Sequence, residues 1–230
     1  MNNEYLELIG RFFPLTERPA TDLNTFKVNG MNFDTRAFTA EGLGNVALME
    51  ASGMLGMMKM TTLVLNPFSV NAPLLSYDRI QAMGKDKLYA ETFDTMLKEG
   101  EGIEPGAAAF ETAGLEAVSG KYASLPDFDA GEHWYDSLYV VKPLFKEGKK
   151  KDAEAFDGCF RDFLEAYLKA CAAAPKCDEA LKKEKAAVYS EGLLSKGGPA
   201  TDPVKHAIGE EKTAAFFRNV LFGTARKSEG

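Results

Sequence analysis

Residues 58–97 read MKMTTLVLNPFSVNAPLLSYDRIQAMGKDKLYAETFDTML, and this stretch predicts the centre of the fold. Residues 59–65 are rich in β-branched and apolar side chains, which are typical of a strand. The Asn-Pro pair at 66–67 ends that strand, because proline has no backbone N–H for the ladder. Residues 74–83 and 87–95 predict two further strands, and the glycine-containing turn between them is typical of a β-hairpin.

Asp78 lies in the middle of the second of these strands. Strand alternation places it on one face with Leu74, Ser76 and Ile80, and places Tyr77 on the other face. A carboxylate in an apolar sheet costs free energy unless it is paired, protonated or facing a cavity. Asp78 is therefore the first candidate functional residue, and the alternative is a satisfied or solvent-facing strand carboxylate.

The remaining pattern predicts an α+β fold in a single domain spanning residues 1–230. Residues 32–40 and 45–51 alternate as strands, the second of which carries Glu50 on the face of Val46 and Leu48, and residues 137–143 predict a sixth strand. Short connections between consecutive strands favour an antiparallel sheet. Strands followed by helices indicate that helices cover this sheet. Helical patterns are found at residues 4–13, 107–123, 152–174, 178–194, 204–208 and 210–221.

Composition restricts the classes of function. The formal net charge of −7 argues against a nucleic acid as the main partner. No apolar run reaches the roughly 20 residues of a membrane span, and the N-terminus lacks the pattern of a signal peptide, so we expect a cytoplasmic protein. The three cysteines are expected to be reduced thiols. His133 and His206 are the only histidines, and we expect no metal site.

Several segments together resemble the ferredoxin-dependent bilin reductases, a family that includes red chlorophyll catabolite reductase. Residues 45–51 (NVALMEA), 63–67 (LVLNP) and 73–78 (PLLSYD) resemble the central strands of the family, including its Pro-x-apolar-small-x-Asp segment. The resemblance spans about residues 30 to 223. It continues through residues 134–144, 160–167 (FRDFLEAY), 187–189 (AVY), 207–211 (AIGEE) and 217–223 (FRNVLFG).

This resemblance implies a three-layer α/β/α sandwich around an antiparallel sheet of about six strands. It implies that a linear tetrapyrrole such as biliverdin binds between the sheet and the C-terminal helices. No organic or metal cofactor would be bound, because ferredoxin supplies single electrons and protein groups supply protons. The catalytic aspartate of the family corresponds to Asp78 and its strand glutamate to Glu50, and the candidate substrate-binding residues are Leu48, Asn66, Ser76, Tyr77 and Tyr189.

The chain departs from the family pattern at several positions. The family's histidine two residues before the strand glutamate is Leu48 here, so an Asp–His proton relay is absent, and the final aspartate is Gly223. A non-catalytic protein that binds a tetrapyrrole or another hydrophobic ligand is therefore the main alternative to an oxidoreductase, and a lyase or isomerase is a third. Docking of acidic ferredoxin would need a local basic face, for which the candidates are Lys146, Lys149, Lys150 and Lys151, or Lys182, Lys183 and Lys185.

Overall fold

The structure is a computed structural model that describes residues 3–95, 110–198 and 201–225, with Met54 described by its backbone alone. The first residues of the predicted helix at 107–123 lie outside this part. The described helices are α1 (Asn3–Phe12), α2 (Ala113–Lys121), α3 (Ala153–Ala173), α4 (Glu179–Lys196), α5 (Thr201–Ile208) and α6 (Glu210–Phe216), which a π-helical turn (Phe217–Leu221) extends.

In the described residues, one antiparallel sheet of eight strands forms the middle layer, two strands more than expected. Its order is β1-β3-β4-β5-β6-β7-β8, and β2 also pairs with β3. Consecutive strands therefore lie side by side through most of the sheet, as short connections predict. The strands are β1 (Leu15–Glu17), β2 (Thr25–Val28), β3 (Met31–Ala40), β4 (Gly44–Gly53), β5 (Met58–Pro67), β6 (Leu74–Ala82), β7 (Lys85–Phe93) and β8 (Leu144–Lys149).

Helices cover both faces of the sheet, which confirms the predicted three-layer sandwich. We call the two sides the α3 face and the α4 face. On the α3 face, Tyr77 and Leu63 pack against Phe160 in a core shared with α1 and α2. On the α4 face, Val64 and Phe93 belong to a second core that includes residues of α4, α5, α6 and the π-helical turn. The sheet is therefore buried on both sides, which explains the apolar character of its central strands.

The last strand of the sheet lies later in the chain than residues 137–143, where the sequence predicts the sixth strand. Residues 136–138 form a short 3-10 turn, Tyr139 makes a single bridge to Phe93, and the strand itself is Leu144–Lys149. The apolar residues of the predicted segment are buried in a connection at the sheet rather than in a ladder, because Leu138 and Val141 pack into the two cores. Burial alone thus produced a strand-like pattern without strand pairing.

Residues 14–31, for which the sequence pattern predicts no helix or strand, contain the short strands β1 and β2. An Asn29-Gly30 turn joins β2 to β3, and both residues have a positive φ, at 47° and 80°. This is the turn chemistry that tight hairpins prefer. Strands of three and four residues are too short for alternation to be recognisable, so the turn was the usable signal.

Among the described helices, none combines the length and the apolar character needed to cross a bilayer.

Candidate active site

Asp78 projects from β6 onto the α4 face, the side covered by the C-terminal helices. Its neighbours in the ladder are Thr62 of β5 and Tyr89 of β7. The Thr62 hydroxyl donates a short hydrogen bond to the Asp78 carboxyl. Burial raises the pKa of Asp78 to about 6, although the Thr62 hydrogen bond acts in the opposite direction. Asp78 can therefore hold a proton close to neutral pH, as a general acid must.

A second acid, Glu91 of β7, lies on the same face. It pairs in the ladder with Ser76, two residues before Asp78, so the two carboxylates are diagonal neighbours. Glu91 is 8% exposed, and the Tyr139 hydroxyl donates a hydrogen bond of 2.7 Å to its Oε1. Burial raises the pKa of Glu91 to about 7; the Tyr139 bond lowers it and the nearby charge of Asp78 raises it.

Aromatic rings flank the two acids. Phe93 stacks on Tyr139, with ring centroids 5.3 Å apart, and contacts Tyr189 of α4 at 5.1 Å. The ring centroids of Tyr135 and Tyr189 are 6.1 Å apart. Burial, and after it the charge of Glu91, raises the pKa of Tyr135. These phenols stay protonated at neutral pH. Flat apolar surfaces with hydroxyl groups at their edges suit a planar conjugated ligand that also carries polar atoms.

His133 and Asp136 lie next to this aromatic group at a more exposed position. The His133 ring stacks flat on Tyr135, with centroids 4.9 Å apart. The His133 backbone N–H donates to Asp136 Oδ2 at 2.9 Å, and its Nδ1 lies 3.5 Å from Asp136 Oδ1. The Asp136 side chain is 39% exposed. A partly exposed polar pair therefore lies beside Tyr135, one of the tyrosines that flank the two acids.

Three of the predicted substrate-binding residues share the α4 face with Asp78. Ser76 and Tyr189 lie beside the two acids. Asn66 is on the same face but only 2% exposed, and its side-chain amide donates to the Phe222 carbonyl at 2.8 Å. Asn66 therefore holds the C-terminal segment on the sheet, and the prediction that it binds substrate is not supported by its position.

The other two predicted substrate-binding residues, Leu48 and Tyr77, lie on the α3 face. Leu48 is 1% exposed and Tyr77 is fully buried, with its ring stacked on Phe160 of α3. Both are core residues on the side of the sheet that Asp78 does not reach. The structure therefore does not bring Leu48 and Tyr77 together with Asp78, because side chains one residue apart on a strand point in opposite directions, and their role in substrate binding stays a prediction.

Glu50 also lies on the α3 face. Its ladder neighbour is Thr61, which in turn pairs with Arg79, whereas Asp78 pairs with Thr62. Glu50 lines a cleft of about 530 Å³ together with Arg79 and other residues of that side. The structure therefore separates Glu50 from Asp78 by the thickness of the sheet. The β4 residue in line with Thr62 and Asp78 is Met49.

Sequence reasoning missed Glu91 and Tyr139. A usable signal existed for Glu91, since it alternates with Tyr89 and Phe93 on one face of a predicted strand, as an acid among aromatic residues. That is the same pattern that singled out Asp78. Tyr139 had no such signal, because it lies in a connection whose position depends on packing against β7.

The candidate docking lysines differ in their exposure to solvent. Lys146 is 4% exposed, forms a 2.6 Å ion pair with Asp127 and donates to the Leu125 carbonyl. Lys182 and Lys185 are buried, at 3.9 Å and 3.7 Å from Asp94. These three were wrongly assigned to a basic surface. The exposed members are Lys149, Lys150 and Lys151, with Lys183 half-buried against Glu179.

Two clefts lie away from Asp78, on the α3 side of the molecule. One contains Glu50 and Arg79, and the other, of about 470 Å³, lies between α2 and α3. Within the part of the chain that the structure describes, no group of three or more His, Cys, Asp or Glu side chains could hold a metal ion.

Comparisons with known proteins bear on the fold. No family model and no curated protein sequence matches this chain. Among solved structures, the fold is similar to the crystal structure of phytochromobilin synthase from tomato in complex with biliverdin, with a TM-score of 0.77 and 13% sequence identity. The match covers 98% of this chain and 84% of that one. The resemblance inferred from the motifs is thus confirmed at the level of the fold.

Proposed function

We propose that this protein is an oxidoreductase that reduces a double bond of a linear tetrapyrrole, a bilin or an open-chain chlorophyll catabolite. Single electrons come from ferredoxin, and Asp78 supplies a proton. The observation that carries the proposal is the partly buried carboxyl of Asp78, with its raised pKa, on the face covered by the C-terminal helices. The fold is shared with a protein whose crystal structure contains biliverdin.

The chemistry of the pigment matches what Asp78 offers. One-electron reduction raises the basicity of a conjugated tetrapyrrole, so an acid nearby must deliver a proton. A carboxyl desolvated by protein atoms stays protonated to a higher pH than one in water. In its ionised form the same group accepts hydrogen bonds from pyrrole N–H groups. Tyr135, Tyr139 and Tyr189 offer aromatic surface next to it, on which the flat pigment rings can pack.

The proposed ferredoxin site is the end of the sheet where two hairpins meet. We call this surface the hairpin end: Leu55, Met57, Met83, Lys85 and Lys149–Lys151. Leu55 is fully exposed, and Met57 and Met83 are 61% and 82% exposed. Lys149 pairs with Lys85 in the ladder, and the Lys150 N–H donates to the Gly84 carbonyl, so the exposed lysines adjoin Met83. Met83 follows Asp78 by five positions along the chain, which corresponds to about 16 Å of extended backbone.

Visible spectroscopy tests the proposal directly. Purified protein mixed with biliverdin should shift and sharpen the pigment bands, and reduced ferredoxin added without oxygen should then bleach or move them. Absence of a spectral shift on mixing would reject tetrapyrrole binding altogether.

A shift that reduced ferredoxin leaves unchanged would favour the alternative, a non-catalytic tetrapyrrole-binding protein. The observation that favours this alternative is Leu48, an apolar core residue where the family has a histidine.

A further inference from the structure

Reduction of one double bond consumes two electrons and two protons, and Asp78 carries one proton. We propose that Glu91, held by the Tyr139 hydroxyl, is the second proton donor of this site. The inference rests on the proposed function and adds to it a residue that no motif of the chain marks.

The sheet register places Glu91 within reach of the same ligand as Asp78. Asp78 is opposite Tyr89, and Glu91 is opposite Ser76, so the two acids are diagonal neighbours on adjacent strands. Diagonal neighbours on one face lie roughly 7–8 Å apart. That spacing keeps the carboxyl groups from sharing one proton, yet lets both approach different atoms of a pigment several rings long. Both side chains point toward the layer of C-terminal helices.

The contacts of Glu91 leave it able to donate. Tyr139 donates to Oε1 at 2.7 Å, and Oε2 accepts no hydrogen bond from the residues that the structure describes. The buried strand acid Asp86 of β7 is different, because the Arg79 guanidinium binds both of its oxygens, at 2.9 Å and 2.7 Å. Asp86 thus faces the cationic Arg79, whereas Glu91 faces a neutral hydroxyl.

The charged groups that act on Glu91 are Asp78 of β6 and Asp136 of the 3-10 turn, and both favour its protonated form. The titratable tyrosines that its charge influences are Tyr89, Tyr135, Tyr139 and Tyr189. When Asp78 has given up its proton, its negative charge strengthens the hold of Glu91 on its own proton. Glu91 therefore remains protonated after Asp78 has lost its proton, so Asp78 donates first and Glu91 second.

The complete step balances with ferredoxin as the one-electron donor. The first electron makes a pigment radical anion, and the Asp78 O–H bond breaks to form the first new bond to hydrogen. The second electron, with cleavage of the Glu91 O–H bond, forms the second. The pigment gains two hydrogen atoms across its double bond, two ferredoxins are oxidised, and both carboxylates recover protons from water.

The test separates proton donation from a structural role. In single-turnover experiments with biliverdin and reduced ferredoxin, Glu91→Gln should form the pigment radical, seen by electron paramagnetic resonance, and slow its decay by about 10²-fold. Wild-type decay should slow as the pH rises through about 7. The variant should lack that pH dependence. The matched control is Glu116→Gln on α2, an exposed glutamate that accepts from Thr112 and should behave as wild type.

Tyr139→Phe discriminates further, because it removes the hydrogen bond to Glu91 but leaves the acid itself. Loss of that bond raises the pKa of Glu91, so radical decay should persist with its pH midpoint moved upward. Equal defects in Tyr139→Phe and Glu91→Gln would overturn the inference, as would a Glu91→Gln variant with the wild-type rate and pH profile. If wild-type protein binds biliverdin but reduced ferredoxin causes no reduction, the proposed reductase function is rejected, and the role of Glu91 as a proton donor is rejected with it.

Discussion

Asp78 and Asp86 show at the scale of single residues how neighbours decide the role of a strand carboxylate. Asp86 is fully buried and bonded by Arg79 and Gln81, so it has an ionic partner within the β6–β7 hairpin. Asp78 has one described hydrogen-bond donor, the neutral Thr62 hydroxyl. A buried carboxyl without a cation is more easily protonated, and protonation is what a general acid requires.

Replacement of Asp78 by asparagine tests this role. Asn keeps the size and most of the hydrogen bonding of the side chain but has no acidic proton. Biliverdin binding should therefore be retained, while turnover with reduced ferredoxin should fall by at least about 10²-fold. Glu50→Gln, on the opposite face, should cost much less. A normal turnover rate for Asp78→Asn would remove Asp78 from the mechanism.

The raised pKa of Glu91 also makes stability depend on pH. Its pKa is 4.5 in an ordinary environment and about 7 in the fold, so folding favours the protonated form. This contribution is fully present below pH 4.5 and is lost as the pH rises through about 7. Relative to wild type, Glu91→Gln should therefore gain up to about 3 kcal/mol of unfolding free energy between pH 4.5 and 8. Urea unfolding at both pH values measures it, and a constant difference would contradict the assignment.

At the scale of elements, two buried asparagines attach the C-terminal segment to the sheet. Asn45 of β4 donates to the Leu221 carbonyl at 2.9 Å, and Asn66 of β5 donates to the Phe222 carbonyl at 2.8 Å. The π-helical turn ends there, so these carbonyls lack partners within a helix. Gly223 has a φ of 65° and lies so close to Asn45 that a Cβ would be 2.6 Å from it. Close contact between sheet and chain end keeps the α4 face covered.

Asn66→Ala should destabilise the fold, because the Phe222 carbonyl loses its buried donor. The expected loss is about 1–3 kcal/mol of unfolding free energy, measured by chemical denaturation. The matched control is Asn32→Ala on β3, where the side chain is exposed and the change should be within about 0.5 kcal/mol. Equal effects of the two substitutions would show that the C-terminal segment does not depend on this bond.

The whole molecule has two cores that share one sheet. The α3 face is packed by α1, α2 and α3, and the α4 face by α4, α5, α6 and the π-helical turn. We expect the chain to unfold as a single domain, because each strand contributes alternate side chains to both cores. Phe163→Ala on α3 and Phe217→Ala in the π-helical turn should each lower the midpoint of one shared calorimetric transition. Two separate transitions, each sensitive to one substitution, would contradict this expectation.

Charge is also distributed unevenly over the molecule. The net charge is −7, yet the hairpin end carries Lys85 and the exposed lysines 149, 150 and 151. If acidic ferredoxin docks there, replacing Lys149, Lys150 and Lys151 by glutamate should raise the KM for ferredoxin at least about tenfold and leave biliverdin binding unchanged. The effect should shrink as salt is added. A KM unaffected at low salt would place the docking surface elsewhere.

The pattern of the sequence determined the strands from β3 to β7, the α+β class and the face of Asp78 within its own strand. These follow from alternation and turn residues, which are local. The register between strands, by contrast, was decided only by the tertiary structure. A shift of one residue moves a side chain to the other face, which separated Glu50 from Asp78 and brought Glu91 beside it. Tyr139 and the buried lysines were likewise decided by packing, since their partners are far away in the sequence.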